Sequence, residues 1–301
     1  MKILVSWSIA YDYIMTFEDS FKNHIIPDKI HILNVSFYTP KLIKEKWWTW
    51  HNIAYNLWLL WEKAILVGLI WNDFFEESEI IDYSNLTKLK YFQTASCYLI
   101  NDKENNQINA FYPWAMWENI IPEIPKEKIS YAIISPNNLE VMKSHLKTCF
   151  QAWIKTFFDP GQQINLFSKE ELLKSLEYTN YLILNDYEYS VFLAKTEVDE
   201  NYLKENIDKL IITLWSDWVK IIDKNETKII DANKDVRIQD PTWAWDAFRA
   251  WLLYGLNNWK DWDNSCKIWC SVASFAIENY WTQNHTFCLN DIEKKLKKNY
   301  R

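Results

Sequence analysis

The sequence predicts an α/β protein, with a mostly parallel central sheet, helices on both faces and a small β lid. Two observations lead there. Short apolar runs rich in Ile and Val alternate along the chain with longer runs of helical period. That is the pattern of doubly buried strands and their crossovers. The 301 residues, 49% hydrophobic and 24% charged, also suffice for one sizeable core. No repeat, low-complexity stretch or linker divides them. Residues 1–301 therefore read as a single domain, with the lid formed by parts of 10–50 and 90–113.

The elements follow in order. Residues 2–5 form a short apolar strand. Residues 53–60 have a helical pattern and 64–70 a strand. Segments 10–50 and 90–113 break the alternation, and within them 90–100 and 107–111 read as strands. Residues 131–135 are a buried strand, 139–150 a helix and 155–159 a strand. A helix at 169–176, a strand at 181–185 and a helix at 188–194 come next. The β-branched runs 210–213 and 219–222 flank Trp215-Ser216-Asp217-Trp218 and predict a hairpin, with a strand at 211–214. Residues 245–256 and 265–280 are helical.

Charge and composition exclude several functions. The net charge of −7, from 33 basic and 40 acidic residues, argues against non-specific nucleic-acid binding, which needs a basic face. No apolar run reaches the ~18 residues of a membrane span. The N-terminus lacks the features of a signal peptide. Five scattered cysteines without a C-x-x-C pair suggest reduced thiols and a cytoplasmic protein. The five histidines show no zinc-ligand spacing.

One number is abnormal: 19 Trp against 3 Gly. Average usage of roughly 7% would give about 21 glycines, so the deficit and the excess nearly cancel. Many of the tryptophans also stand where a chain wants glycine. Trp218 lies in the predicted hairpin turn. Trp243-Ala244-Trp245 opens a helix, where two glycines would make an anion site and two indoles would block it. Some bacterial lineages read the UGA codon as glycine where another code reads tryptophan. Most of these positions are therefore expected to be glycine in the natural protein, with Trp262 the best candidate for a true tryptophan. An aromatic-rich binding protein is the alternative.

The chemistry concentrates at Asp240-Pro241-Thr242-Trp243-Ala244-Trp245-Asp246-Ala247-Phe248. An aspartate at a helix N-terminus behind a glycine-rich turn can take a proton from a hydroxyl, while the helix end holds phosphate charge. The same carboxylate could equally serve only to stabilise the helix.

Further motifs bear on that choice. With glycine restored, residues 240–248 read D-P-T-G-A-G-D-A-F, and Trp47-Trp48-Thr49-Trp50-His51-Asn52-Ile53-Ala54 reads G-G-T-G-H-N-I-A. Trp71-Asn72-Asp73-Phe74 reads G-x-D-F, and Asn185-Asp186-Tyr187-Glu188 is N-x-x-E. In this order the segments resemble the signatures of the ribokinase-like (PfkB) family of sugar and nucleoside kinases. The bacterial adenosine kinase branch is the nearest, with further likeness at Ser6–Asp12, at 34–37 and 111–116, and at Asp159-Pro160-Gly161-Gln162-Gln163.

The resemblance implies a ribokinase-like α/β fold and phosphorylation of a nucleoside 5′-hydroxyl by ATP with Mg²⁺, adenosine to AMP first among the substrates. Asp246 would be the catalytic base, and Trp243, Ala244 and Trp245, as a glycine turn, the anion hole. Asp12 would grip the ribose diol, with Ser8, Ser36, Trp48 (as glycine) and Asn52 completing the sugar site. Gln162 and Gln163 would lie near the base and Phe111 would stack on it or pack as a lid aromatic. Asn185, Thr213, Ser216, Trp218 (as glycine) and Arg249 would lie along ATP, although Arg249 could instead form a structural ion pair. Glu188 would act near Mg²⁺, indirectly. The resemblance leaves room for a monovalent cation and a homodimer through the lid, with no nucleic-acid or membrane partner. The alternatives are a sugar or sugar-phosphate kinase of the same family, or a non-catalytic binding protein if the tryptophans are genuine.

Overall fold

The computed structural model describes residues 2–45, 49–71, 73, 81–90, 93–104, 106–113, 120–214, 218–231, 244–258, 261–278, 287 and 289–299. In chain order its strands are β1 (Lys2–Ser6), β2 (Ala10–Thr16), β3 (Lys41–Glu45), β4 (Ala64–Val67), β5 (Leu69–Trp71), β6 (Thr87–Leu89), β7 (Ala95–Asn101), β8 (Gln107–Tyr112), β9 (Ile129–Ile134), β10 (Lys155–Phe158), β11 (Tyr181–Asn185), β12 (Lys209–Leu214), β13 (Trp218–Ile222) and β14 (Thr227–Asp231). The helices are α1 (Thr49–Leu59), α2 (Leu139–Gln151), α3 (Lys169–Leu176), α4 (Asp186–Thr196), α5 (Glu200–Asn206), α6 (Ala244–Asn257), α7 (Trp262–Ile277) and α8 (Leu289–Asn299).

Eight strands form the main sheet in the order β14-β13-β12-β11-β10-β9-β1-β4. All pairs from β4 to β12 are parallel, and the β12–β13–β14 meander closes one edge antiparallel. Period-2 alternation splits the core. Ile3, Val5, Ile133, Ile183 and Ile211 face α1, α6, α7 and α8. Leu4, Ile134, Leu182, Leu184 and Ile212 face α2 to α5. Both faces are thus covered, which explains why these strands read as continuous apolar runs.

The second sheet has four strands in the order β3-β2-β7-β8, drawn from the segments that break the alternation. The strand expected over 64–70 is interrupted at Gly68. β4 stays in the main sheet, and β5 leaves to pair with β6. A Cβ at Gly68 would lie 2.9 Å from the Trp7 carbonyl oxygen and from Ile9 Cδ1, so only glycine lets the chain pass the exit of β1. The strand expected over 90–100 begins only at Ala95. β14 and α5 were not anticipated; each is short and carries many charged residues.

The predicted hairpin forms, with Leu214 opposite Trp218 as its closing pair; residues 215–217 lie outside the described set. Two other tryptophans are informative. Trp61 and Trp153 take φ of +63° and +59° and are 92% and 94% exposed. Each follows a helix in the same way. Trp61 N–H donates to Trp58 O and Glu62 N–H to Leu57 O, while Trp153 N–H donates to Phe150 O and Ile154 N–H to Cys149 O. These are paired Schellman closures of α1 and α2, with tryptophan at the left-handed position that glycine normally fills. Trp262 behaves differently. Its ring centroid lies 4.9 Å from that of Tyr181 and 6.1 Å from that of Phe157, with the Lys209 ammonium 5.4 Å away. That environment uses an indole.

Candidate active site

In an open parallel sheet, side chains that follow the strands gather at their carboxyl ends. The ends of β1, β9, β10, β11 and β12 lie side by side here. Ser8, buried, follows β1 and donates its N–H to Pro136 O after β9. Asp159 follows β10 and donates its N–H to Ile134 O. Gly161 turns the chain there with φ +52°, into the short 3₁₀ helix Gly161–Asn165 that holds Gln162 exposed and Gln163 buried. Asn185 ends β11, and Thr213, in register beside it on β12, is buried and donates from Oγ1 to Leu184 O at 3.4 Å.

Asn185 and Glu188 form a capping box on α4. Asn185 Oδ1 accepts from Glu188 N–H at 2.7 Å, and Glu188 Oε2 accepts from Asn185 N–H at 2.9 Å. The N-x-x-E motif thus has a local cause in satisfying the first helical amides. Glu188 is not on a solvated face. Burial pushes its carboxyl above the usual range and the Asp159 charge adds to that, while Asn185 N–H and Arg249 pull it back.

Asp159 is the centre that sequence reasoning left without a role. It is fully buried, and its Oδ2 accepts from Arg249 Nε at 2.6 Å and from Ser135 Oγ at 3.2 Å. Its Oδ1 meets no donor among the described residues. Arg249 belongs to α6 and also lies over the Trp7 ring, 5.6 Å from its centroid. The structural ion pair considered for Arg249 is therefore formed through Nε. It docks the start of α6, one turn after Asp246, against the ends of β9 and β10. An acidic residue closing an apolar strand before Pro-Gly was the available signal.

Ala244, Trp245 and Asp246 form the first turn of α6; their side chains, with those of Trp218, lie outside the described set, as do Trp48, Ser216 and Trp243 altogether. Asn52 is buried in the first turns of α1. Ser36 is exposed in the loop between β2 and β3. Asp12 sits on β2 opposite Cys97 of β7, and Cys97 sits opposite Phe111 of β8. Residues directly opposite share a face, so the second sheet presents Asp12 and Phe111 in one row. Burial, then the Asp12 charge, pushes the Cys97 thiol up to about 12, so the thiol stays neutral beside the carboxylate.

Comparison with known proteins decides the family. Residues 73–286 match the pfkB family of carbohydrate kinases. The chain belongs to that family. This kinase is 30% identical over 225 residues to the nucleoside kinase of Methanocaldococcus jannaschii, covering 71% of this chain and 72% of that protein. The solved M. jannaschii enzyme, described as an archaeal member of the ribokinase family, has a TM-score of 0.86 at 25% identity over 99% of each chain. The Burkholderia thailandensis nucleoside kinase in complex with inosine has a TM-score of 0.85 at 28% identity, over 99% of this chain and 98% of that one. The kinase is thus a phosphotransferase with the ribokinase-like α/β fold. No helix among its described residues is long and apolar enough to cross a membrane.

Proposed function

We propose that the kinase transfers the γ-phosphoryl group of ATP to the 5′-hydroxyl of a nucleoside, with adenosine and inosine as the first substrates to test. One observation carries this reading. The strand ends bring the Asn185–Glu188 box, Thr213 and the Asp159–Arg249 pair together, beside a second sheet that offers a carboxylate and an aromatic ring in one row. The relatives named nucleoside kinases support the substrate class.

In the reaction, the Asp246 carboxylate takes the hydroxyl proton. The hydroxyl oxygen bonds to the γ-phosphorus as the bond to the β,γ-bridging oxygen breaks, and ADP leaves. The first amides of α6, behind a turn with glycine at 243 and 245, stabilise the transferring charge. Asp12 accepts from the ribose hydroxyls, with Ser8, Ser36, Asn52 and glycine at 48 around the sugar. Phe111, Gln162 and Gln163 surround the base. Asn185, Thr213, Ser216 and glycine at 218 lie along ATP. When bound, Mg²⁺ neutralises phosphate charge. The inward Glu188 carboxylate, already engaged at Oε2, suits a water-mediated approach to it. The second sheet acts as a lid that excludes water.

The test is formation of AMP from adenosine, and of IMP from inosine, with Mg-ATP. The chain carrying Trp48→Gly, Trp218→Gly, Trp243→Gly and Trp245→Gly is compared with the chain as written. Activity is expected in the first and not in the second. Asp246→Asn in the active chain should lower turnover by about 10²–10⁴-fold. A folded, glycine-carrying chain without nucleotide product would refute the nucleoside assignment.

A further inference from the structure

Asp73 belongs to a motif whose role the proposed chemistry does not use. It follows β5, outside the second sheet, yet it binds the bases of both central strands of that sheet. Its Oδ1 accepts from Thr94 Oγ1 at 2.6 Å and from Thr94 N–H at 3.1 Å. Its backbone oxygen accepts from Tyr11 Oη at 2.7 Å. Thr94, 1% exposed, immediately precedes β7, and Tyr11, 2% exposed, is the second residue of β2. Ala10 and Ala95 are register partners where these parallel strands begin. The contact extends to the third strand, because the Lys44 ammonium of β3 lies 3.9 Å from the Tyr11 ring centroid. Asp12 comes directly after Tyr11, on the opposite face of β2.

We propose that Asp73 is a positioning residue whose carboxylate and carbonyl clasp the roots of β2 and β7, and so set where Asp12 meets the sugar. This rests on the nucleoside reading above. A carboxylate suits the task because one oxygen accepts from both the amide and the hydroxyl of Thr94. The clasp joins the base of the lid to the segment leaving the main sheet at Gly68, where Thr87 N–H donates to Gly68 O at 3.0 Å. It touches neither ATP-side residue, Asn185 or Thr213, so its loss should weaken nucleoside binding selectively.

The test compares Asp73→Ala with Asp73→Asn in the glycine-carrying enzyme. Asp73→Ala should raise KM for the nucleoside about tenfold or more and leave KM for ATP little changed. Amide hydrogen exchange should quicken over 10–16 and 95–101 and stay unchanged over 129–134 and 181–185. Asp73→Asn keeps the acceptor oxygen and should restore both readouts. Equal change in both KM values, no change in either, or faster exchange throughout the chain would overturn the proposal. If Asp73→Ala does not fold, Thr94→Val and Tyr11→Phe each remove one hydroxyl of the clasp. They must show the same selective rise in nucleoside KM and the same local exchange, or the proposal fails. If the unsubstituted enzyme phosphorylates no nucleoside, that result falls on the proposed function. The exchange pattern alone then decides whether the clasp exists, and no selective loosening refutes it.

Discussion

Replacing Trp61 and Trp153 by glycine should stabilise this protein. Both residues hold left-handed backbone, at φ +63° and +59°. An L-residue there pays about 1–2 kcal/mol for the approach of Cβ to the carbonyl oxygen. Glycine removes that cost and returns a part of it, roughly 0.5–1 kcal/mol, through the greater freedom of the unfolded chain. The indoles are 92% and 94% exposed, so little packing is lost. The net gain is about 1 kcal/mol at each site. The sites close α1 and α2, which pack on opposite faces of the main sheet, so the gains should add to about 2 kcal/mol. In a chain of this size that raises Tm by about 3 °C. Denaturant titration reads the same change as a higher midpoint at unchanged slope. Trp262→Gly is the control, because it removes a half-buried indole packed against Tyr181 and Phe157 and should lower the midpoint. An unchanged or lower midpoint for Trp61→Gly or Trp153→Gly would refute the strain argument. Peptide masses from the natural source should read glycine at both positions, and tryptophan there would refute recoding.

Two other predictions follow from buried polar groups. Removing Arg249 alone, as Arg249→Met, should destabilise the fold by roughly 3–5 kcal/mol, because the buried Asp159 is left without its ion-pair partner; denaturation of Arg249→Met with and without Asp159→Asn should show that most of the loss is recovered in the double variant. His145 is buried between Ser6 Oγ at 2.7 Å and Pro122 O at 2.8 Å, and burial pushes its pKa down. The unfolded chain then binds the proton first, so stability is full above the ordinary histidine pKa of about 6.5 and falls as pH drops below it. Stability measured from pH 7 to 5 should show this slope, and His145→Gln should flatten it.

Part of the candidate site was legible in residue order because the contacts there are local. A capping box spans three residues, so Asn185 and Glu188 identify each other without the rest of the chain. Asp246 and the first amides of α6 likewise belong to one short segment. Asp12 and Phe111 were singled out separately; only strand register places them in one row. Asp159 offered no local partner, since Arg249 lies 90 residues away. The Asp73 clasp was equally hidden, as its donors come from two other segments.

By itself, the sequence determined the alternation of strands and helices, the order of the motifs and the anomaly of glycine against tryptophan. Those properties depend on periodicity, on spacing along the chain and on composition. Tertiary structure decided which strand ends became neighbours, where Gly68 splits a strand between two sheets, and which tryptophans are strained. Those outcomes depend on contacts between distant segments and on backbone dihedral angles. Trp61 and Trp262 are the same residue type: one caps a helix in a glycine conformation and the other packs half-buried against Tyr181 and Phe157, so that the structure supplies the physical reason for setting Trp262 apart.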